Sequence, residues 1–175
     1  KNGLGFTTIQ EKYHICFESI SSILKKHNIN IRVHNPYSID ENYFSNIDSF
    51  DKAYFLGLLA SDGCIIQNKN KLYNPLIGFT ISLQERDCDI LDNFIKKLKF
   101  TGKPRFIKKR SERHQNMKKL TVSCVKIAKD LNNLGITPKK SLTINYPIIP
   151  SYLDKAFLLG EFDGDGSISL SNTEK

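Results

Sequence analysis

The four cysteines of this chain, Cys16, Cys64, Cys88 and Cys124, form no CxxC pair and fall at no metal-ligand spacing. They read as reduced, mostly buried thiols of an intracellular protein rather than as a disulfide framework or a zinc centre. His14, His27, His34 and His114 are equally scattered, so zinc is not assigned. There is no Ser/His/Asp grouping and no glycine-rich loop of the kind that cradles phosphate. No apolar run is long enough to span a membrane, and no segment has the pattern of a signal peptide. Acidic residues are nearly missing from one stretch: between Lys96 and Lys119, eleven Lys or Arg face the single acid Glu112. Such a cluster is either a solvated face or a surface that tracks phosphates by releasing their counterions.

What remains is ordinary globular material. The chain has 175 residues, 39% hydrophobic and 25% charged, with a net charge of +8. That suffices for one domain, or for one domain and part of another. It opens on Lys1 and ends ten residues past Asp165, which reads as an excerpt of a longer protein.

The most informative feature is an internal repeat. Asp51–Gly63 returns 103 positions later as Asp154–Gly166, sharing Asp-Lys-Ala, the Leu-Gly at 56–57 and 159–160, the closing Asp-Gly, and the following Ile65 and Ile168. One structural unit is therefore expected to have been built twice. Each copy reads as a hydrophobic helix that ends on an acid, with Asp48 or Ser151 as its cap. Ala53 and Gly57, and Ala156 and Gly160, recur at helical spacing as a small-residue face suited to close helix packing. Gly inside a helix costs roughly 1 kcal/mol relative to Ala, so its repetition points to a packing reason.

Between the copies the periodicity changes. Short strands are expected at 64–67, 76–84, 103–110 and 120–124, with helices around Ile90–Leu98 and over Val125–Leu134. In 76–84, Ile77, Phe79, Ile81 and Leu83 point one way and Gly78, Thr80, Ser82 and Gln84 the other. The order helix, two strands, helix, two strands, helix specifies an α+β unit with an antiparallel sheet covered on one face. Residues 1–35 form a separate module, with Ile9, Tyr13, Ile15, Ile20 and Ile23 spaced as the core of a helix-turn-helix. Phe17, Glu18, Ser21, Ser22 and Lys25 would lie on the exposed side of its second helix. A plain helical hairpin fits the same pattern. Residues 36–47 read as a polar linker, 48–146 as the first repeated unit, and 147–175 as the incomplete start of a second.

If the repeated helices pack side by side in parallel, Asp62 and Asp165 meet at their C-termini. Facing carboxylates at the negative ends of helices repel each other, and a divalent cation removes the conflict. Carboxylate oxygens suit Mg²⁺, which keeps waters and bridges to phosphate oxygens.

Phe55–Gly63 and Leu158–Gly166 resemble the two motifs of a single-chain LAGLIDADG homing endonuclease. The segment Leu134–Thr143, continuing to Tyr146–Pro150, is similar to that family's lead into its second motif, and the likeness covers roughly 45–170. It implies an αββαββα unit whose sheet lies in the DNA major groove, and the start of a pseudo-symmetric partner unit within a monomer. It also implies Asp62 and Asp165 as catalytic metal ligands for Mg²⁺, or another divalent ion such as Mn²⁺. Gln84 and Lys126 match positions where the family places a solvent-organising polar residue and a catalytic-site lysine. DNA contacts are then expected from Gln67, Lys69, Lys71, Thr80, Ser82, Lys103, Arg105, Lys119 and Thr121. The implied function is site-specific, metal-assisted hydrolysis of double-stranded DNA. The alternatives are a non-catalytic DNA- or RNA-binding regulator or intron maturase of the same fold, an inactive relic, or the endonuclease of an intein. Ala60 departs from the motif, which carries Asp there as the second copy does at Asp163. The second half's sheet, which the family uses to grip its site, is not in this sequence.

Overall fold

A computed structural model describes residues 5–29, 37–68, 75–109, 111–112, 114–140 and 145–167. The chain divides into two compact units, residues 1–36 and 37–175. In the first, α1 (Phe6–Tyr13) and α2 (Phe17–Lys26) are joined by a turn in which His14 adopts left-handed backbone (φ 52°). The Phe6 and Phe17 rings approach to 4.6 Å. Ile20 is buried, but Tyr13 and Ile23 are 56% and 49% exposed, so the expected five-residue core is not assembled within the described residues. Phe17, Glu18, Ser21, Ser22 and Lys25 do share one surface groove.

The second unit is α+β. The elements are α3 (Phe50–Ser61), β1 (Gly63–Gln67), β2 (Leu76–Gln84), α4 (Cys88–Lys97), β3 (Arg105–Ile107), β4 (Met117–Val122), α5 (Val125–Asn133) and α6 (Asp154–Asp165), so the described chain holds six helices and four strands. The strands form one antiparallel sheet in the order β1-β2-β4-β3. Alternation in β2 divides the sheet into two faces. Phe79, Ile81 and Leu83 are buried together with Ile65, Leu120 and Val122 on one face, which α4 and α5 cover. Register places Thr80 opposite Cys64 and Thr121, Ser82 opposite Lys119, and Gln84 opposite Met117, on the other face. Phe94 lies at the centre of the core, stacked on Phe55 with ring centroids 4.4 Å apart and within 6.2 Å of Phe44 and Phe79. Each such ring, fully buried, contributes on the order of 1.5–3 kcal/mol.

Several expectations need correcting. Residues 37–47 are not a linker: Tyr43, Phe44 and Ile47 are buried, and the Asp40 N–H donates to the Leu98 carbonyl at 2.8 Å. Their polar neighbours hid a short apolar anchor. Asp48 does not cap α3, since Ser49 stands at the N-cap and Asp48 pairs with Lys52 at 2.9 Å instead. Likewise α6 starts at Asp154 after a single 3₁₀ turn over Ser151–Leu153. The third strand spans only Arg105–Ile107, following Pro104, which has no N–H to give a ladder. The fourth strand starts earlier than expected, at Met117, where it pairs with Gln84 and Ile107.

Candidate functional site

α3 and α6 lie backbone to backbone. A Cβ on Gly57 would stand 2.0 Å from the Phe157 carbonyl oxygen, and one on Gly160 would stand 1.9 Å from that of Tyr54. Only hydrogen at these positions permits the approach. Gly164 meets Ser61 and the Asp62 carboxyl further along. Later residues of α3 thus meet later residues of α6, so the helices run parallel. Ala53 and Ala156, the other members of the small-residue face, are fully buried.

Parallel packing brings the two acids together. Asp62 caps the C-terminus of α3 and Asp165 is the last residue of α6. Loss of water around the Asp62 carboxyl holds it above its ordinary value of 3.8, and the charge of Asp165 raises it further. Asp87 adds a smaller push upward, while Lys140 pulls the other way. Lys140 is 9% exposed, the one buried charged residue among those described. Its ammonium donates to the Ser61 carbonyl at 2.6 Å. That carbonyl is one of the last-turn acceptors a helix cannot satisfy internally, and a cation there also complements the helix dipole. The Ser61 hydroxyl donates back to the Leu58 carbonyl at 3.0 Å. On α6, Asp163 accepts the Tyr54 hydroxyl at 2.8 Å, and burial, reinforced by that hydrogen bond, pushes the phenol well up.

Asp62 and Asp163 border a cleft of about 380 Å³ lined also by Ser82, Gln84, Arg86 and Gly164. Asp165 lines a separate groove on α6 with Lys155, Leu158 and Phe162, and Gly166 belongs to both. The expected site residues separate clearly. Gln84 lies in the cleft with Asp62. Lys126 does not line it: its ammonium contacts the Ser45 hydroxyl and the Asp130 carboxylate, the latter at 2.8 Å one helical turn away. A lysine placed at the start of α5 finds that carboxylate first. Lys140 was missed as a site residue, although it falls in the segment leading to the second repeat. No periodicity marks it, because its position near Asp62 comes from folding a loop under α3.

Of the expected DNA contacts, Ser82, Lys119 and Thr121 share the open sheet face with Arg105, which pairs in register with Lys119. Thr80 is on the same face, but its hydroxyl donates to the Leu120 carbonyl at 2.9 Å and is not a free donor. Gln67 ends β1, exposed, beyond a register irregularity at Ile66/Gln67. Lys103 is exposed in the loop before β3. Lys69 and Lys71 lie outside the described residues.

Among the described residues no group of three or more His, Cys, Asp or Glu could hold a metal. A carboxylate whose proton affinity is raised by burial and by a second carboxylate nearby does fit Mg²⁺, which takes one or two carboxylates and completes its shell with waters and phosphate oxygens. No helix of the described chain is long and apolar enough to cross a membrane. Compared with known proteins, the chain matches no family model and no curated protein.

Proposed function

We propose that this chain carries the paired-acid site of a LAGLIDADG-type homing endonuclease, acting on double-stranded DNA, and that the unit formed by α3 to α5 and the sheet is one of that family's αββαββα units. The observation that supports it most is the glycine-mediated contact of α3 and α6, which brings Asp62 and Asp165 to one end of the pair. Next to that end stands an open sheet face bearing Lys119 and Arg105.

In this mechanism Asp62 and Asp165 would hold the divalent ion, Mg²⁺ or a substitute such as Mn²⁺. When bound, the ion supplies charge neutralisation at the phosphodiester and a more acidic water. Lys140, fixed by the Ser61 carbonyl, offsets part of the rise in the proton affinity of Asp62 and so favours its ligating form. Gln84, projecting into the cleft, is placed to orient a water by its amide. The open sheet face positions the duplex, with basic side chains on phosphates and strand residues toward base edges.

A supercoiled-plasmid nicking assay with and without Mg²⁺, using a library of inserted sites, tests the proposal. Cleavage should require the ion, and Asp62→Asn and Asp165→Asn should each abolish it while leaving DNA binding in place. Undiminished cleavage by the double Asn variant would eliminate these acids as ligands.

A further inference from the structure

Lys119 on β4 stands directly opposite Arg105 on β3, and Ser82 on β2 completes the row across three strands of the open face. Like charges facing each other on neighbouring strands cost stability. Neither cation makes an ion pair among the described residues. The adjacent Lys118, which points to the other face, is held by Asp92 at 2.6 Å. The flanking rows carry no cation: they are Cys64–Thr80–Thr121 on one side and Gln84–Met117–Ile107 on the other. The positive charge of the strands on this face is thus concentrated in a single row, on an inner strand and its edge neighbour.

Resting on the assignment of this face to duplex DNA, we propose that the Ser82–Lys119–Arg105 row reads guanine in the major groove. Guanine presents two acceptors, N7 and O6, along its major-groove edge, and a long cationic donor satisfies both. Adenine and cytosine each place an amino donor on that edge, and thymine offers one acceptor beside a methyl group. Neighbouring strands lie about 4.8 Å apart, against about 3.4 Å per base-pair step. The two cations therefore reach the same base pair or two adjacent ones. Lys103, in the loop before β3, lies off the strands and fits a phosphate contact instead.

Selection of a randomised duplex library by the purified chain at low salt, followed by sequencing, tests the assignment. The wild type should enrich guanine at one position or at two adjacent positions. Arg105→Gln and Lys119→Gln should each lose about tenfold in affinity for the selected duplex and little for duplexes lacking that guanine. Arg105→Lys keeps the charge but not the two-pronged donor, and should bind DNA with weakened guanine selection. Lys103→Gln should weaken binding to all sequences alike. Thermal melts of Arg105→Gln and Lys119→Gln should match or exceed the wild type, because each removes one of two facing like charges. Duplex binding without guanine enrichment overturns the assignment and leaves the DNA-binding face standing, as does uniform weakening by Arg105→Gln and Lys119→Gln. Failure to retain any duplex sinks both.

Discussion

Leu56 and Leu59 of α3 are 0% and 1% exposed, whereas Leu159 and Phe162, which occupy the same places in α6, are 45% and 47% exposed. Phe55 and Leu158 differ in the same way, at 1% and 50%. The repeat encodes a helix with two working sides. The glycine side is satisfied in both copies, because α3 and α6 satisfy each other. The apolar side is satisfied only in α3, where the sheet and α4 cover it. On α6 the same side forms an open groove with Lys155 at one end and Asp165 at the other. Like sequences thus reach unlike environments because burial belongs to the second layer, not to the helix. Under the proposed function that cover on α6 would be a second sheet.

The comparison can be broken most sharply by truncating matched leucines. Leu56→Ala should cost about 2–5 kcal/mol in chemical denaturation, as a buried cavity does. Leu159→Ala should stay within about 0.5 kcal/mol, as an exposed site does. Equal losses would mean that α6 is covered in solution.

The glycine side should behave oppositely, with both copies equally sensitive. Gly57→Ala and Gly160→Ala each drive a methyl into a backbone carbonyl of the other helix. Each should cost about 1–3 kcal/mol, by the overpacking mechanism, despite the gain in helix propensity. If either variant melts at or above the wild-type temperature, the two helices are not in backbone contact.

Lys140 ties the end of α3 to the loop before α6 and should matter less. Lys140→Met keeps the buried stem but leaves the Ser61 carbonyl without its donor, a loss of roughly 1–2 kcal/mol. It also removes the cation that lowers the Asp62 pKa. The rising limb of a cleavage pH profile should then move to higher pH, which a purely structural role would not produce.

The smallest effect concerns Asp62 itself. Its folded-state pKa lies above the ordinary value, so the folded chain binds the proton more tightly than the unfolded chain does. Stability from this source is present below the ordinary carboxylate value and is lost as pH rises through the raised one. In EDTA, Asp62→Asn should therefore melt slightly higher than the wild type near neutral pH and show a flatter pH dependence across the acid range. Added Mg²⁺ should stabilise the wild type and not the variant.

Much of this was legible in one dimension. Strict alternation marked β2 at both of its ends, because a half-buried strand needs a period of two. The apolar stripe of α4 and the length of α5 followed from helical spacing in the same way. Elsewhere the necessary signal was too short or too distant. Tyr43, Phe44 and Ile47 sit in a polar stretch with no period, and the rings of Tyr43 and Phe44 pack against Phe94, some fifty residues away. Lys126 looked like a site lysine until Asp130 and Ser45 proved to be its neighbours.

By itself the sequence determined that a glycine-bearing helix ending in an acid occurs twice, with strands and basic residues between, because local periodicity and composition are written residue by residue. The tertiary structure alone decided that the two helices run parallel at backbone distance, that Lys140 rather than Lys126 stands by Asp62, and that Lys119 faces Arg105. Those are relations between segments far apart in the chain, set by which surfaces exclude water together, and no local pattern specifies them.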